Sequence, residues 1–305
     1  MKILIIDPLS ENTICRLKKI IDLEICYLLG LDENEILKEL NDTSILIMRT
    51  SYIFSEEWLK YAPKLIAVIV AGNGTENVPI NLLKSNNIIF KNVKAASVSS
   101  VAEYVVCLML MGLRNIMEGI RSVEEGKWKK PLLIGNEIKE KTIGLIGFGN
   151  IGKSIAELLD KFNVKIIYNN ESGPVENSLY EYVELKELAK RSDIISIQVP
   201  LTNSTKHFIN EDFFSNIKKD CVLINASRYE VINMDHLIDK LKQGFFKHVY
   251  IDPIEIRHLK EISKTENLPI SFLPHLGANT YEAQERIGGE VIKIVIQLMT
   301  KVSMV

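Results

Sequence analysis

Cysteine is scarce and scattered. Cys15, Cys26, Cys107 and Cys221 are the four in 305 residues, and no two of them form a CxxC pair. Zinc ribbons and dithiol redox motifs are thereby unsupported, no metal is expected, and a reducing cytosol is the natural setting. A cationic excess is also missing: 37 Lys and Arg against 39 Asp and Glu leave a net charge of −2, so nucleic acid is not expected as the main partner. No apolar run reaches membrane-span length. The longest, Val101 to Leu113, is interrupted by Glu103, so no membrane partner is expected. The N-terminal MKILIID reads as a strand and lacks the small-residue cleavage site of a signal peptide, which points to the cytoplasm. Fixed-period repeats and low-complexity tracts are absent.

What remains is a globular composition, 47% apolar and 25% charged, in a chain long enough for two domains. Short apolar runs at Lys2–Asp7, Ser44–Thr50, Leu65–Gly72 and Ile88–Val93 read as buried strands. Amphipathic stretches at Asn12–Ile21, Glu33–Leu40, Glu56–Ala62 and Asn81–Ser85 read as the helices between them, the rhythm of a parallel sheet. A long apolar helix is expected from Ser100 to about Met117, capped from Ser97, Ser99 or Ser100, followed by a polar connector, Glu118–Glu140. A second series then begins, with strands at Thr142–Gly147, Val164–Asn169, Asp193–Val199, Cys221–Ser227, His248–Asp252 and Ile270–Leu273. Its helices fall at Ile151–Phe162, Leu185–Lys190, Glu211–Lys218, Met234–Gln243 and Tyr281–Thr300. The fold class is α/β, with two open parallel-sheet domains.

The first chemical signal is glycine. Gly147, Phe148, Gly149, Asn150, Ile151 and Gly152 form a GxGxxG between an apolar strand and a helix whose Ile151, Ile155, Leu158, Leu159 and Phe162 share one face. Gly147 allows the tight turn, Gly149 lets backbone approach a pyrophosphate, and Gly152 lets the helix pack close to the strand. Such a unit binds a dinucleotide; its bland alternative is a glycine-rich turn without a ligand. The position that selects NAD carries Asn169 and Asn170, followed by Glu171, where an acid would hold the ribose hydroxyls. The cofactor is therefore NAD or NADP, with a lean to NAD because no arginine sits nearby for a 2′-phosphate.

Hydride transfer to a carbonyl further needs a proton donor and a cation for the substrate carboxylate. Of the five histidines, His207, His236, His248 and His258 read as ordinary solvated residues. His275 follows a strand-like run and Pro274, where α/β sites form, and is either an acid–base residue or another bland histidine.

Taken in order, Ala71-Gly72-Asn73-Gly74-Thr75, Ser100-Val-Ala-Glu-Tyr104, Gly126-Lys-Trp128, Gly144 through Gly152, Asp193 through Thr202, Leu223-Ile-Asn-Ala-Ser-Arg228, Asp252 and Pro274-His275 resemble the D-isomer-specific 2-hydroxyacid dehydrogenases over most of the chain. The resemblance implies a flavodoxin-like substrate domain, residues 1–98 plus 279–305, and a Rossmann dinucleotide domain, 99–278. It implies hydride transfer between nicotinamide and C2 of a small 2-keto or 2-hydroxy acid, with glyoxylate or hydroxypyruvate as candidates. Arg228 would clamp the substrate carboxylate, and His275 would serve as acid and base. Ala71, Gly72 and Asn73 would bind the carboxylate through backbone N–H groups. Arg49 would add positive charge or be a plain solvated arginine. Val199, Pro200 and Thr202 would wall the adenine side; Asn225, Ala226, Ser227, Asp252 and Gly277 would face the cofactor. The helix and arm over 100–140 would form a homodimer. Closure of the cleft is expected to hinge near Ser97–Ser100 and Gly277–Thr280.

Some positions depart from the pattern. Arg257 stands where the family has the glutamate that pairs with its histidine; Glu255 is the assigned substitute, with Glu261 as another candidate. Tyr229 stands where glycine is usual, and is expected to narrow or reshape the substrate pocket. Pro79 replaces an acid, and the chain's end at Val305 leads to the expectation that the extra regulatory domain of some relatives is absent. These departures keep a second reading open, a non-catalytic dinucleotide-binding sensor or corepressor-like protein. Retention of Arg228 and His275 argues for the enzyme.

Overall fold

A computed structural model describes all residues except 21, 253–257, 259–261, 263–264 and 303–305. The chain divides into two compact units, Met1–Ser97 with Asn279–Val305, and Val98–Ala278.

In the first unit, strands β1 (Lys2–Ile5), β2 (Glu24–Tyr27), β3 (Ile45–Met48), β4 (Ala67–Val70) and β5 (Ile89–Asn92) alternate with helices α1 (Glu11–Lys18), α2 (Glu33–Leu40), α3 (Glu56–Lys60) and α4 (Ile80–Ser85). The sheet is parallel in the order β2-β1-β3-β4-β5, the flavodoxin-like arrangement. Its central strands are uninterrupted apolar runs because both faces are covered. Ile3, Ile5, Ile45, Ile47, Ala67 and Ile69 point to one core, and Leu4, Leu46, Met48, Val68 and Val70 to the other. The last helix of the chain, Tyr281–Val302, closes the first core with Ile287, Val291, Val295 and Leu298.

The second unit opens with α5 (Val98–Leu113) and α6 (Ile116–Glu124). Strands β6 (Thr142–Ile146), β7 (Lys165–Asn169), β8 (Glu181–Tyr182), β9 (Ile194–Ile197), β10 (Cys221–Asn225), β11 (Phe246–Ile251) and β12 (Ile270–Phe272) follow. Between them lie α7 (Asn150–Leu159), α8 (Leu185–Arg191), α9 (Glu211–Ser215) and α10 (Met234–Lys242); the closing helix Tyr281–Val302 is α11. This sheet is also parallel, in the order β12-β11-β10-β9-β6-β7-β8. The strand order reverses between β6 and β9, the topological switch point at which a doubly wound sheet takes its ligand.

Some expectations are corrected. The apolar helix starts at Val98, so Ser99 and Ser100 lie inside it rather than capping it. It ends at Leu113, because Asn115 adopts a left-handed φ of 53° that aspartic-type side chains tolerate, and the chain restarts as α6. The polar connector from Glu118 therefore begins in a helix, α6. Strands β2 and β8 went unread because both are short and only partly buried, so neither shows an apolar run. Among the described residues no single helix is long and apolar enough to cross a membrane; α5 and α6 reach that length only together, across a 65° bend.

Candidate active site

Parallel pairing fixes where the chemistry collects. The loops after β6, β9, β10, β11 and β12 all leave the same edge of the sheet, and these strands are consecutive neighbours. In that order they carry the glycine turn, Val199–Thr202, Asn225–Arg228, Asp252 and His275. At about 4.8 Å per strand, the row is roughly 19 Å long, the scale of an extended dinucleotide.

The glycine turn has the backbone the motif requires. Gly147 sits at φ +93°, and a Cβ there would meet the Gln198 carbonyl oxygen at 2.8 Å. A Cβ on Gly152 would run into the Gly147 carbonyl oxygen, so helix α7 packs against the turn only because glycine is there. A Cβ on Gly149 would meet nothing within 4 Å. Gly149 is also the N-cap of α7, and no side chain caps that helix. An exposed glycine at an uncapped helix N-terminus fits a pyrophosphate, which would accept from the opening N–H groups of α7. Two residues missed in the sequence hold the turn. Gln198 Nε2 donates to the Gly147 carbonyl at 3.1 Å, and the buried Ser196 hydroxyl donates to Gln198 Oε1 at 2.7 Å. Ordinary strand-end polarity gave no signal for either.

The two asparagines after β7 are engaged within the protein. Asn169 Nδ2 donates to the Val183 carbonyl at 2.9 Å, and Asn170 Oδ1 accepts from the Phe148 N–H at 2.5 Å. Phe148 itself is buried and stacks on Tyr168, centroids 4.2 Å apart. Its assignment to the cofactor is thus corrected at the level of the side chain: the ring belongs to the core, and its N–H belongs to Asn170. Glu171 is exposed. On the far side of the switch point, the Thr205 hydroxyl donates to the Pro200 carbonyl at 2.6 Å and accepts from the Thr202 N–H at 2.8 Å, shaping the Val199–Thr202 turn.

The loop after β10 is built around Asn225. Its Oδ1 accepts from the Ser227 N–H at 3.1 Å and from the Ser227 hydroxyl at 2.7 Å, while Nδ2 donates to the Arg228 carbonyl at 2.8 Å. Asn225 and Ser227 are buried, so their side chains frame the loop, and Ala226 is half-buried. Half-buried Arg228 is oriented by Nη1 donating to the Ser227 carbonyl at 2.8 Å. Tyr229, the residue after Arg228, turns its side chain inward. Its ring is buried and stacked on the His258 imidazole, centroids 4.0 Å apart and planes 12° apart.

His258 is also a correction, since it is held between that ring and Glu230, whose Oε1 is 3.7 Å from Nε2. Of the other histidines read as solvated, His207 is exposed, while His236 and His248 are half-buried. His207 Nδ1 lies 3.2 Å from the Ile232 carbonyl, and His236 Nδ1 accepts from the Glu211 N–H at 3.0 Å. His248 is drawn into the sheet beside Ser271, 3.0 Å away, and burial drops its pKa to about 4. Residues flanking His248 and His258 are charged, but side-chain direction, not local charge, decides their burial.

Asp252 and His275 form one structure. Buried Asp252 accepts the N–H of Leu276 at 3.2 Å and of Gly277 at 3.3 Å, and the N–H of His275 also reaches it. Burial pushes its pKa up to about 6, while those N–H groups and the Tyr104 hydroxyl hold it down. His275 is exposed, at the left-handed φ of +60°. That conformation costs a non-glycine residue about 1 kcal/mol, which the wrap around the carboxylate offsets. Glu255, the assigned partner of His275, and Arg257 and Glu261 lie outside the described residues.

The candidate substrate residues of the first unit follow β3 and β4. Arg49 is not a solvated arginine: its Nη1 donates to Gln284 Oε1 at 3.1 Å, its backbone N–H donates to the buried Asp7 carboxylate, and burial lowers the guanidinium pKa against the pull of Asp7. Ala71 is buried, with its N–H on the Met48 carbonyl at 2.8 Å; a Cβ on Gly72 would meet nothing within 4 Å, and Asn73 is exposed. Buried Asn77, unremarked in the sequence, ties the two loops by donating to the Arg49 carbonyl at 2.6 Å and the Tyr52 carbonyl at 2.7 Å.

A glycine turn at the switch point, with an arginine and a histidine farther along the same sheet edge, defines a nicotinamide-dinucleotide-dependent oxidoreductase. Comparison with known proteins agrees. Residues 106–277 match the family model described as D-isomer specific 2-hydroxyacid dehydrogenase, NAD binding domain. Hydroxypyruvate reductase of Thermotoga maritima is 33% identical over 290 residues, 94% of each chain. Glyoxylate reductase of Thermococcus litoralis is 30% identical over 308 residues, covering 97% of this chain and 92% of the relative. The solved acyclic imino acid reductase Bsp5, in complex with NADPH and D-Arg, superposes with a TM-score of 0.87 at 29% identity, covering 99% of this chain and 98% of the other. The chain belongs to the D-isomer-specific 2-hydroxyacid dehydrogenase family, enzymes that act on CH–OH donors with NAD(P).

Proposed function

We propose that the protein reduces the C2 carbonyl of a small 2-keto acid, or oxidises the matching D-2-hydroxy acid, and that glyoxylate and hydroxypyruvate are its preferred keto substrates. The carrying observation is the common sheet edge of the glycine turn, Arg228 and His275. When bound, the dinucleotide supplies the hydride. Gly147, Gly149, Asn150, Ile151 and Gly152 hold its pyrophosphate, Val199, Pro200 and Thr202 its adenine side, and Ala226, Asp252 and Gly277 its nicotinamide side.

Arg228 binds the substrate carboxylate through its planar fork and polarises the carbonyl beside it. The His275 imidazole donates a proton to the carbonyl oxygen as C2 is reduced and takes it back in the reverse direction. Glu255 is assigned as the carboxylate partner of that imidazole. Ala71, Gly72, Asn73 and Arg49 are assigned to substrate binding from the first unit. NAD is the favoured cofactor, since no basic residue lies between Asn169 and Val175 to meet a 2′-phosphate. The enzyme works in the cytoplasm as a homodimer formed by the 100–140 region, where Trp128, Leu132 and Ile134 are 78%, 81% and 81% exposed, an apolar surface that a second copy would cover.

The test is oxidation of NADH and NADPH against a panel of 2-keto acids. Turnover with glyoxylate or hydroxypyruvate is expected. Cofactor binding without turnover on any keto acid would overturn the proposal.

A further inference from the structure

The motif Ser100-Val-Ala-Glu-Tyr104 lies on α5, and its last side chain has a place in the site that the reaction as described does not use. The Tyr104 hydroxyl is buried, and among the described residues it has no hydrogen bond of good geometry. It nonetheless faces the Asp252 carboxylate: each shifts the other's proton affinity, and after burial the Asp252 charge is the largest influence that raises the tyrosine's pKa. On its other side, the ring lies against the loop that carries His275. A Cβ on Gly277 would sit 3.6 Å from Tyr104 Cδ1, 3.4 Å from Val101 Cγ2 and 3.7 Å from Asp252 Oδ2. Residues 275–277 are thus held between the carboxylate that accepts their N–H groups and the face of α5 that presents Val101 and Tyr104.

We propose that Tyr104 is a positioning residue for His275, acting through Asp252 and Gly277. The physical need is specific. A buried carboxylate that serves three N–H groups on one side requires a polar neighbour on the other, or it becomes less able to stay charged and weaker as an acceptor. His275 depends on that acceptor, because its left-handed backbone is unfavourable on its own. Tyr104 supplies the neighbour and, with its ring, a wall that keeps Gly277 within reach of Oδ2. A phenylalanine would keep the wall and remove the neighbour.

The inference rests on the proposed acid–base role of His275, so its test includes a readout independent of turnover. Hydrogen–deuterium exchange of the 275–277 amides is compared between the unliganded wild type and Tyr104→Phe. The expected result is exchange roughly tenfold faster at those amides, the scale of one lost polar interaction, with α7 and the β6 region unchanged. In steady state, Tyr104→Phe is expected to lower kcat several-fold, about 1 kcal/mol of barrier converted at 1.36 kcal/mol per decade. Wild-type exchange at 275–277 would overturn the positioning role whatever the activity. His275→Gln run alongside separates the two ideas: full turnover in that variant sinks the acid–base reading, while faster loop exchange in Tyr104→Phe still upholds the clamp.

Discussion

The carboxamide oxygen of Asn170 accepts the N–H of Phe148 at 2.5 Å, joining the end of β7 to the middle of the glycine turn. A neutral side chain therefore occupies the place where an acid would repel a 2′-phosphate. Discrimination against NADPH should accordingly be weak, with its KM within about tenfold of that for NADH. Asn170→Asp keeps an acceptor for Phe148 and adds the charge. It should raise the KM for NADPH roughly tenfold more than that for NADH, as repulsion of a near, partly solvated anion requires. Steady-state kinetics with both cofactors check this; equal KM changes would show that Asn170 does not face the ribose.

Arg228 is aimed by its own loop, through Nη1 on the Ser227 carbonyl and through the Asn225 carboxamide that holds the Arg228 carbonyl. Arg228→Lys keeps the charge but loses the fork. It should cost about 2–4 kcal/mol of transition-state stabilisation, a fall in kcat/KM of roughly 30- to 1000-fold. The KM of the keto acid should rise, and the affinity for NADH, read by fluorescence titration, should not move.

Removing the proposed proton donor should act on the other parameter. His275→Gln is expected to reduce kcat by about 10²–10⁴ with NADH binding retained. Single-turnover measurements would place the loss in the chemical step; a loss confined to cofactor release would contradict the assignment.

Two buried groups give opposite pH dependences. His248 has its pKa dropped to about 4 from 6.5 by burial, so the folded state resists a proton that the unfolded state takes. Its contribution to stability is present above the unfolded value and is lost as pH falls from 6.5 toward 4. Asp252 is raised to about 6 from 3.8, again by burial, so its contribution is full below the unfolded value and lost as pH rises toward 6. Urea unfolding of His248→Gln should show a smaller loss of midpoint than wild type on acidification through that window. Equal acid losses in the two proteins would show that folding does not lower the proton affinity of His248.

Exposed Trp128, Leu132 and Ile134 predict self-association. Wild type should sediment as a dimer at micromolar concentration, and Ile134→Glu should shift it to monomer while leaving the circular dichroism spectrum unchanged. A monomeric wild type would remove the dimer from the proposed function.

Much of this was legible in the residues because the signals are local. The strand–glycine–helix unit from Thr142 to Phe162 reads directly from apolar period and glycine spacing, and the uninterrupted runs at Ile45–Met48 and Ala67–Val70 follow from sheets covered on both faces. His275 was singled out as a polar residue just past a strand end, whereas Arg228 carried no local signal and was assigned only through the ordered resemblance to the family. Edge strands β2 and β8 were not legible, because a short, half-buried strand has too few core positions to print a period.

The sequence by itself determined the two parallel sheets, the place of the glycine turn and the order of chemical residues along the chain. Only the tertiary structure decided their use. Strand order set Gly147, Val199, Arg228, Asp252 and His275 in one row along a single edge. Packing turned Tyr229 onto His258, Asn170 onto Phe148, and three consecutive N–H groups onto Asp252. The reason is physical: local sequence fixes backbone preference, whereas a side chain's partner is chosen by whichever distant segment the fold brings within 3 Å or so of it.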